Sequence, residues 1–210
     1  MNYLGYSKMD TLAPEIYMTL YEGSLAQLDE ADIIRQESLV ETVLFHMLQA
    51  LDFLAFHNLC HRDVKPENIL YTGYREARWT CHFVLADFGL SKTALTGTTE
   101  VGTDMYKAPE VFTGQLIDSK VDVWSLVVSI MKIHPDLTFP EAAHVSNPQA
   151  VHRAVQRFGE DFPYYRRMAQ VDLDQHASAR DVLHARFDGK GVYQRRSRRI
   201  KTRTQKGLAK

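Results

Sequence analysis

Cysteine is scarce in this chain. Cys60 and Cys81 are the only two among 210 residues, so at most one disulfide could form and a disulfide-stapled domain is excluded. There is no CxxC pair and no Cys/His cluster at zinc-ligand spacing. The first ten residues lack a basic flank followed by an apolar run, so no secretory leader is read there. No stretch reads as the ~18–20 apolar residues of a membrane span. Free thiols without a leader point to a reducing, intracellular setting. Internal repeats are also lacking. Net charge is nearly absent, at a formal −1, but unevenly so: Arg195 to Lys210 holds eight Lys/Arg and no acid. The rest of the chain keeps 17 basic against 26 acidic residues, an acidic body of about −9 with a basic tail.

What is present is a 45% hydrophobic, 24% charged composition, ordinary for a globular protein and long enough for a good core. Glu15 to Leu20 reads as a strand, and Leu25 to Asp29 as the start of a short helix. Val40, Val43, Leu44, Met47, Leu48, Leu51 and Leu54 recur at helical spacing, which predicts a helix from about Gln36 to His57. Ile69–Tyr71 and His82–Ala86 read as strands, with loops around Pro66 and from Asp87 to Glu110. Asp118 to Ile133 is apolar nearly all round, as in a buried helix. Further helices are predicted over about Pro148–Phe158, Phe162–Ala169 and Ser178–Ala185. Beyond Gly191 no apolar periodicity remains, so residues 191–210 read as a basic, disordered tail.

Polar residues concentrate at three places. His61-Arg62-Asp63-Val64-Lys65-Pro66-Glu67-Asn68 lies between an apolar helix and an apolar strand. Asp87-Phe88-Gly89 follows 19 residues past Asn68, at a strand end. Gly102-Thr103 and Ala108-Pro109-Glu110 come later. Singly, Asp63 or Asn68 reads as a turn or cap residue and Asp87 as a strand-end turn. As an ordered set they supply hard oxygen ligands of the kind magnesium takes, and the fixed charges that phosphoryl transfer needs.

In that order the runs resemble the HRDxxxxN, DFG and APE signatures of eukaryotic-type protein kinases, and Lys65 with Thr103 resembles the serine/threonine subclass. The resemblance covers roughly Ile16 to Phe187. It implies an α+β, predominantly helical fold over residues 1–190. From about residue 22 this would be a kinase-like C-terminal lobe, preceded by a short hinge and strand remnant of the N-lobe. It implies ATP and Mg2+ as cofactors and a protein substrate. Asp63 would orient the substrate hydroxyl, Lys65 would neutralise phosphate charge, and Asn68 and Asp87 would hold magnesium. Met18 would be the residue beside the adenine pocket, Leu20 and Tyr21 would offer backbone bonds to adenine, and Leu70 would form the pocket floor. Arg62 would receive a phosphate on the activation segment, where Ser91, Thr93, Thr96, Thr98 and Thr99 are the candidate acceptors. His61 would be a packing residue, and Asp122 would hold the catalytic-loop backbone. Arg180 would pair with Glu110 in a buried ion pair costing roughly 3–5 kcal/mol to break on one side.

Some expected parts are not found in the sequence. A phosphate-covering GxGxxG loop, a VAIK-type lysine and a helix carrying its glutamate partner are lacking. The resemblance therefore implies serine/threonine kinase chemistry, with weak or no activity from this chain alone. The alternative is an inactive lobe kept as a scaffold or interaction module. An exposed N-lobe-facing surface would invite a protein partner. The run Arg195-Arg196-Ser197-Arg198-Arg199 resembles a nuclear-localisation or polyanion-binding patch, giving a cytoplasmic or nuclear expectation. Specific nucleic-acid recognition is not indicated, because no aromatic interleaving accompanies the basic run.

Overall fold

The computed structural model describes residues 3–7, 15–30, 37–73, 81–93, 104–113, 118–134 and 148–195. Strand β1 (Tyr3–Ser7) pairs antiparallel with β2 (Glu15–Met18) in a two-stranded sheet. The sequence had marked only the second of these. A three-stranded sheet has the order β3 (Gly23–Ser24), β5 (Ile69–Thr72), β6 (His82–Leu85), all antiparallel. A short ladder joins β4 (Leu59–Cys60) to β7 (Lys92–Thr93). Helix α1 (Leu25–Glu30) begins directly after β3.

Helix α2 (Glu37–Phe56) carries the predicted apolar stripe, and all seven stripe residues are buried. Fully burying such a side chain is worth about 1.5–3 kcal/mol. The helix ends where Asn58 adopts a left-handed backbone, φ 56°, a conformation that Asn tolerates better than most residues. The stretch Ser38–Phe56 is long and apolar enough to cross a membrane, contrary to the sequence expectation. Here it is a core helix, packed against α4 (Lys120–Ile133), α6 (Ala179–Phe187) and β6. The partly polar face of α2 explains the difference, because the sequence reading looked only for unbroken apolar runs.

Helix α4 is buried on every face, Lys120 and Lys132 excepted, as its composition predicts. Short helix α3 (Pro109–Thr113) and α5 (Pro148–Asp161) flank it. The helix expected over 162–169 is instead a run of turns. Its backbone bonds are mostly of the i to i+3 kind, such as Tyr165 N–H to Phe162 O at 2.9 Å and Met168 N–H to Tyr165 O at 2.9 Å. Pro163 cannot donate to the preceding turn, which breaks the α-helical ladder there.

The expected tail also begins later than Gly191. Val192 packs on the core, and the Tyr193 N–H donates to Asp52 Oδ2 at 2.7 Å. The Tyr193 ring meets Phe53 and Phe56 edge-on at 4.9 and 4.8 Å. Residues 196–210 lie outside the described residues.

Candidate active site

The site is built on the loop between β4 and β5. Asp122, buried in the first turn of α4, accepts the His61 N–H on Oδ2 at 2.7 Å and the Arg62 N–H on Oδ1 at 2.8 Å. Burial pushes the Asp122 carboxyl up to about 6, and the two backbone bonds oppose that rise by favouring the charged form. Between them they hold Arg62 in a left-handed conformation, φ 69°, which a non-glycine residue adopts only when its surroundings impose it. His61 is buried and its pKa lowered, chiefly by desolvation. Its Nδ1 accepts the Asp63 N–H at 3.4 Å, so Nε2 carries the proton and donates to the Ala86 carbonyl at 2.9 Å. This ties the loop to the end of β6.

Asp63 is 8% exposed, and its carboxylate is fixed from two sides. The Asn68 amide donates to Asp63 Oδ2 at 2.8 Å and to the Asp63 carbonyl at 2.8 Å. Lys65 Nζ lies 2.8 Å from the same Oδ2. Asn68 ends a 3-10 turn, Pro66–Asn68, in which Pro66 sits at a position that needs no N–H donor. The Asn68 backbone carbonyl accepts the Ala86 N–H at 2.9 Å, which places Asp87, the second residue beyond β6, beside the loop. Asp87 has φ 62°, and its Oδ1 accepts the Gly89 N–H at 3.2 Å. A Cβ on Gly89 would stand 3.2 Å from that oxygen, so a side chain there would crowd the carboxylate. The Phe88 ring meets the His61 ring edge-on at 4.9 Å. Asp63, Lys65, Asn68 and Asp87 thus form one cluster around His61, whose ring senses the charges of Asp63, Asp87 and Lys65.

The other expected residues fall around this cluster to different degrees. Leu70 and Tyr21 are half-buried at or beside the three-stranded sheet, whereas Met18 is 49% and Leu20 93% exposed. Ser91 Oγ donates to the His61 carbonyl at 3.5 Å. Thr96, Thr98, Thr99 and Thr103 lie outside the described residues, as does the side chain of Thr93.

One expected pair is not formed. Arg180 donates from Nε to Asp52 Oδ1 at 2.9 Å and from Nη2 to Asp52 Oδ2 at 3.2 Å, and Nη2 also reaches the Tyr193 carbonyl at 2.9 Å. The packing of α6 on α2 aims Arg180 at Asp52, away from Glu110. Glu110 is buried, its Oε1 has no hydrogen-bond partner, and desolvation raises its pKa. The sequence reading missed Asp52, although a lone acid between Leu51 and Phe53 of a core helix was a visible signal. It also missed Ser125, whose hydroxyl donates to the Tyr106 carbonyl at 2.7 Å and pins the segment before Ala108-Pro109-Glu110 to α4. Nothing in the sequence marked that contact.

The protein kinase domain family model matches residues 8–184. Calcium/calmodulin-dependent protein kinase type 1 of Macrobrachium nipponense is 38% identical over 109 residues, covering 51% of this chain and 28% of that protein. A probable myosin light chain kinase of Dictyostelium discoideum is 36% identical over 115 residues, covering 53% of this chain and 29% of that protein. Serine/threonine-protein kinase chk-2 of Caenorhabditis elegans is 39% identical over 93 residues, covering 43% of this chain and 19% of that protein. These matches span less than a third of each relative's length. With the family match running through the buried loop, both strand ends and most of the helices, this chain belongs to the protein kinase family, with serine/threonine kinases as its relatives.

Proposed function

We propose that the protein transfers the γ-phosphoryl group of Mg-ATP to a serine or threonine hydroxyl of a protein substrate. The observation that carries this reading is the double clamp on Asp63: Asn68 and Lys65 each reach Oδ2 at 2.8 Å. An acceptor held that still can orient a substrate hydroxyl and take its proton as the bond to phosphorus forms. Lys65 is a cation within reach of the transferring group. The Asn68 amide nitrogen is committed to Asp63, which offers the amide oxygen to a cation. Asp87 is exposed and presents a carboxylate alongside. Among the described residues no three His, Cys, Asp or Glu side chains form a self-contained metal cage. Asn68 and Asp87 instead fit Mg2+ that keeps water and nucleotide phosphates as its remaining ligands. When bound, the metal would supply charge neutralisation at the phosphates. Met18, Leu20, Tyr21 and Leu70 are the residues proposed to receive adenine.

Thermal melting with and without Mg-ATP tests the site, comparing wild type with Asp87→Ala. An ATP-dependent rise in Tm is expected for wild type alone; no rise in wild type would remove nucleotide binding from this chain. Phosphate transfer to a basic peptide panel, compared with Asp63→Ala, tests the chemistry.

A second reading is a non-catalytic interaction module. The exposure of Met18, Leu20 and Phe88, at 49%, 93% and 46%, favours it, because an adenine pocket normally needs cover on this face. In that reading the exposed apolar residues bind a protein partner. A cytoplasmic or nuclear site of action rests on the basic run from Arg195 and is tested by imaging the chain with and without residues 195–210.

A further inference from the structure

Helix α6 and the turns of residues 162–169 enclose a pocket of about 340 Å³, lined by none of the catalytic-loop residues. Met168 and Val182 make an apolar floor, and both are buried. Tyr164 forms a wall and is 75% exposed, although it is a large aromatic. The Arg186 guanidinium lies over the Tyr164 ring, 4.6 Å from its centre. A guanidinium stacked on a ring is held in place. Arg186 spends Nε and Nη2 on Glu41, but Nη1 is buried and makes no hydrogen bond. A second cation, Arg167, lines the same pocket; it is exposed and makes no side-chain hydrogen bond among the described residues.

Asp181 is the one acid in the lining. Its carboxylate is committed to the α6 cap, accepting the Ser178 N–H at 2.9 Å and the Ser178 hydroxyl at 2.7 Å. The pocket therefore offers an apolar floor, an exposed aromatic wall and one exposed guanidinium, that of Arg167. Aromatic and arginine side chains around a small apolar depression are the composition of protein-interface anchors.

We propose that this pocket docks an acidic peptide segment of a partner protein, carrying a large apolar side chain. The apolar side chain fills the floor over Met168 and Val182. A flanking carboxylate takes the exposed Arg167 guanidinium. Charge complementarity with Arg167 selects the acidic flank.

Fluorescence anisotropy of the full chain with labelled Glu-Asp-Leu-Phe-Glu-Asp tests this. Saturable binding is expected, weakened about tenfold or more by Arg167→Glu and by Tyr164→Ala, each with an unchanged Tm, since both side chains are exposed. The basic analogue Lys-Lys-Leu-Phe-Lys-Lys is expected to bind at least about tenfold more weakly, and Asp87→Ala to leave binding intact. The proposal is overturned by no saturable binding, by equal binding in the two pocket variants, or by equal binding of the basic analogue. Loss of binding in Asp87→Ala would move the peptide to the nucleotide cleft and also overturn it.

Discussion

Glu110 and Arg180 show how a single residue's energetics depends on which partner the fold gives it. Glu110 is buried without a cation on its Oε1, and burial raises its pKa. A carboxyl whose pKa is raised on folding binds its proton more tightly in the folded state than in the unfolded one. It therefore lowers stability at neutral pH, and that deficit shrinks as pH falls. Glu110→Gln is expected to raise Tm at pH 7, with the gain gone below about pH 4.3, where the unfolded carboxyl is also protonated. A loss of about 3–5 kcal/mol in chemical denaturation would instead mean that Glu110 has a cationic partner. Arg180→Ala should cost about 1–3 kcal/mol, because it strands the buried Asp52 carboxylate, with the figure held down by the guanidinium being 43% exposed. The two thiols make a second test at this scale. Burial pushes Cys60 up to about 12 and raises Cys81 as well, so neither presents a thiolate near neutral pH. Ellman titration of the native protein at pH 8 is expected to count no reactive thiol, and to count both after denaturation.

At the scale of elements, the catalytic loop is a short irregular segment given rigidity by its neighbours. The His61 and Arg62 N–H groups go to a side chain of α4 rather than to a ladder, so the loop's shape depends on α4. Replacing Asp122 by Asn turns one acceptor into an N–H donor facing a backbone N–H. If the chain transfers phosphate as proposed, that activity is expected to fall on the order of 10²-fold while far-UV circular dichroism stays native, the scale of loss that a displacement of about 1 Å produces. Unchanged activity in that variant would show that the loop holds itself. Helix α6 is fixed differently, by a reciprocal cap. Ser178 Oγ accepts the Asp181 N–H at 3.2 Å, and Asp181 in turn accepts the Ser178 N–H. Ser178→Ala should cost about 0.5–2 kcal/mol, read from urea denaturation, and Asp181→Ala a similar amount.

At the scale of the whole molecule, the apolar residues that the fold leaves in water become the issue. Met18, Leu20, Phe53, Phe56 and Phe88 are each more than 40% exposed. Exposed apolar surface favours association. Light scattering on the purified chain at tens of micromolar is expected to report species larger than 24.1 kDa. A clean monomer across that range would count against a partner-binding role for these residues.

Much of this was legible in the sequence, for reasons tied to particular residues. The stripe from Val40 to Leu54 set α2, and the all-round apolar run set α4, because burial of one face or of all faces leaves a periodic trace. The polar runs at 61–68 and 87–89 marked the candidate site, because so many polar groups between apolar segments have few structural uses. The turns at 162–169 were misread because the pattern of Tyr164, Tyr165 and Met168 looks helical and only Pro163 argues otherwise.

The amino-acid sequence alone determined the family, the order of the site residues and the two central helices, since each depends on residue type and spacing along the chain. Tertiary structure alone decided that Arg180 serves Asp52, that Glu110 stays without a cation on Oε1, and that Tyr193 is folded in. Those outcomes depend on contacts between residues far apart in the chain, such as Asp52 with Arg180 and Tyr193, which leave no local pattern to read.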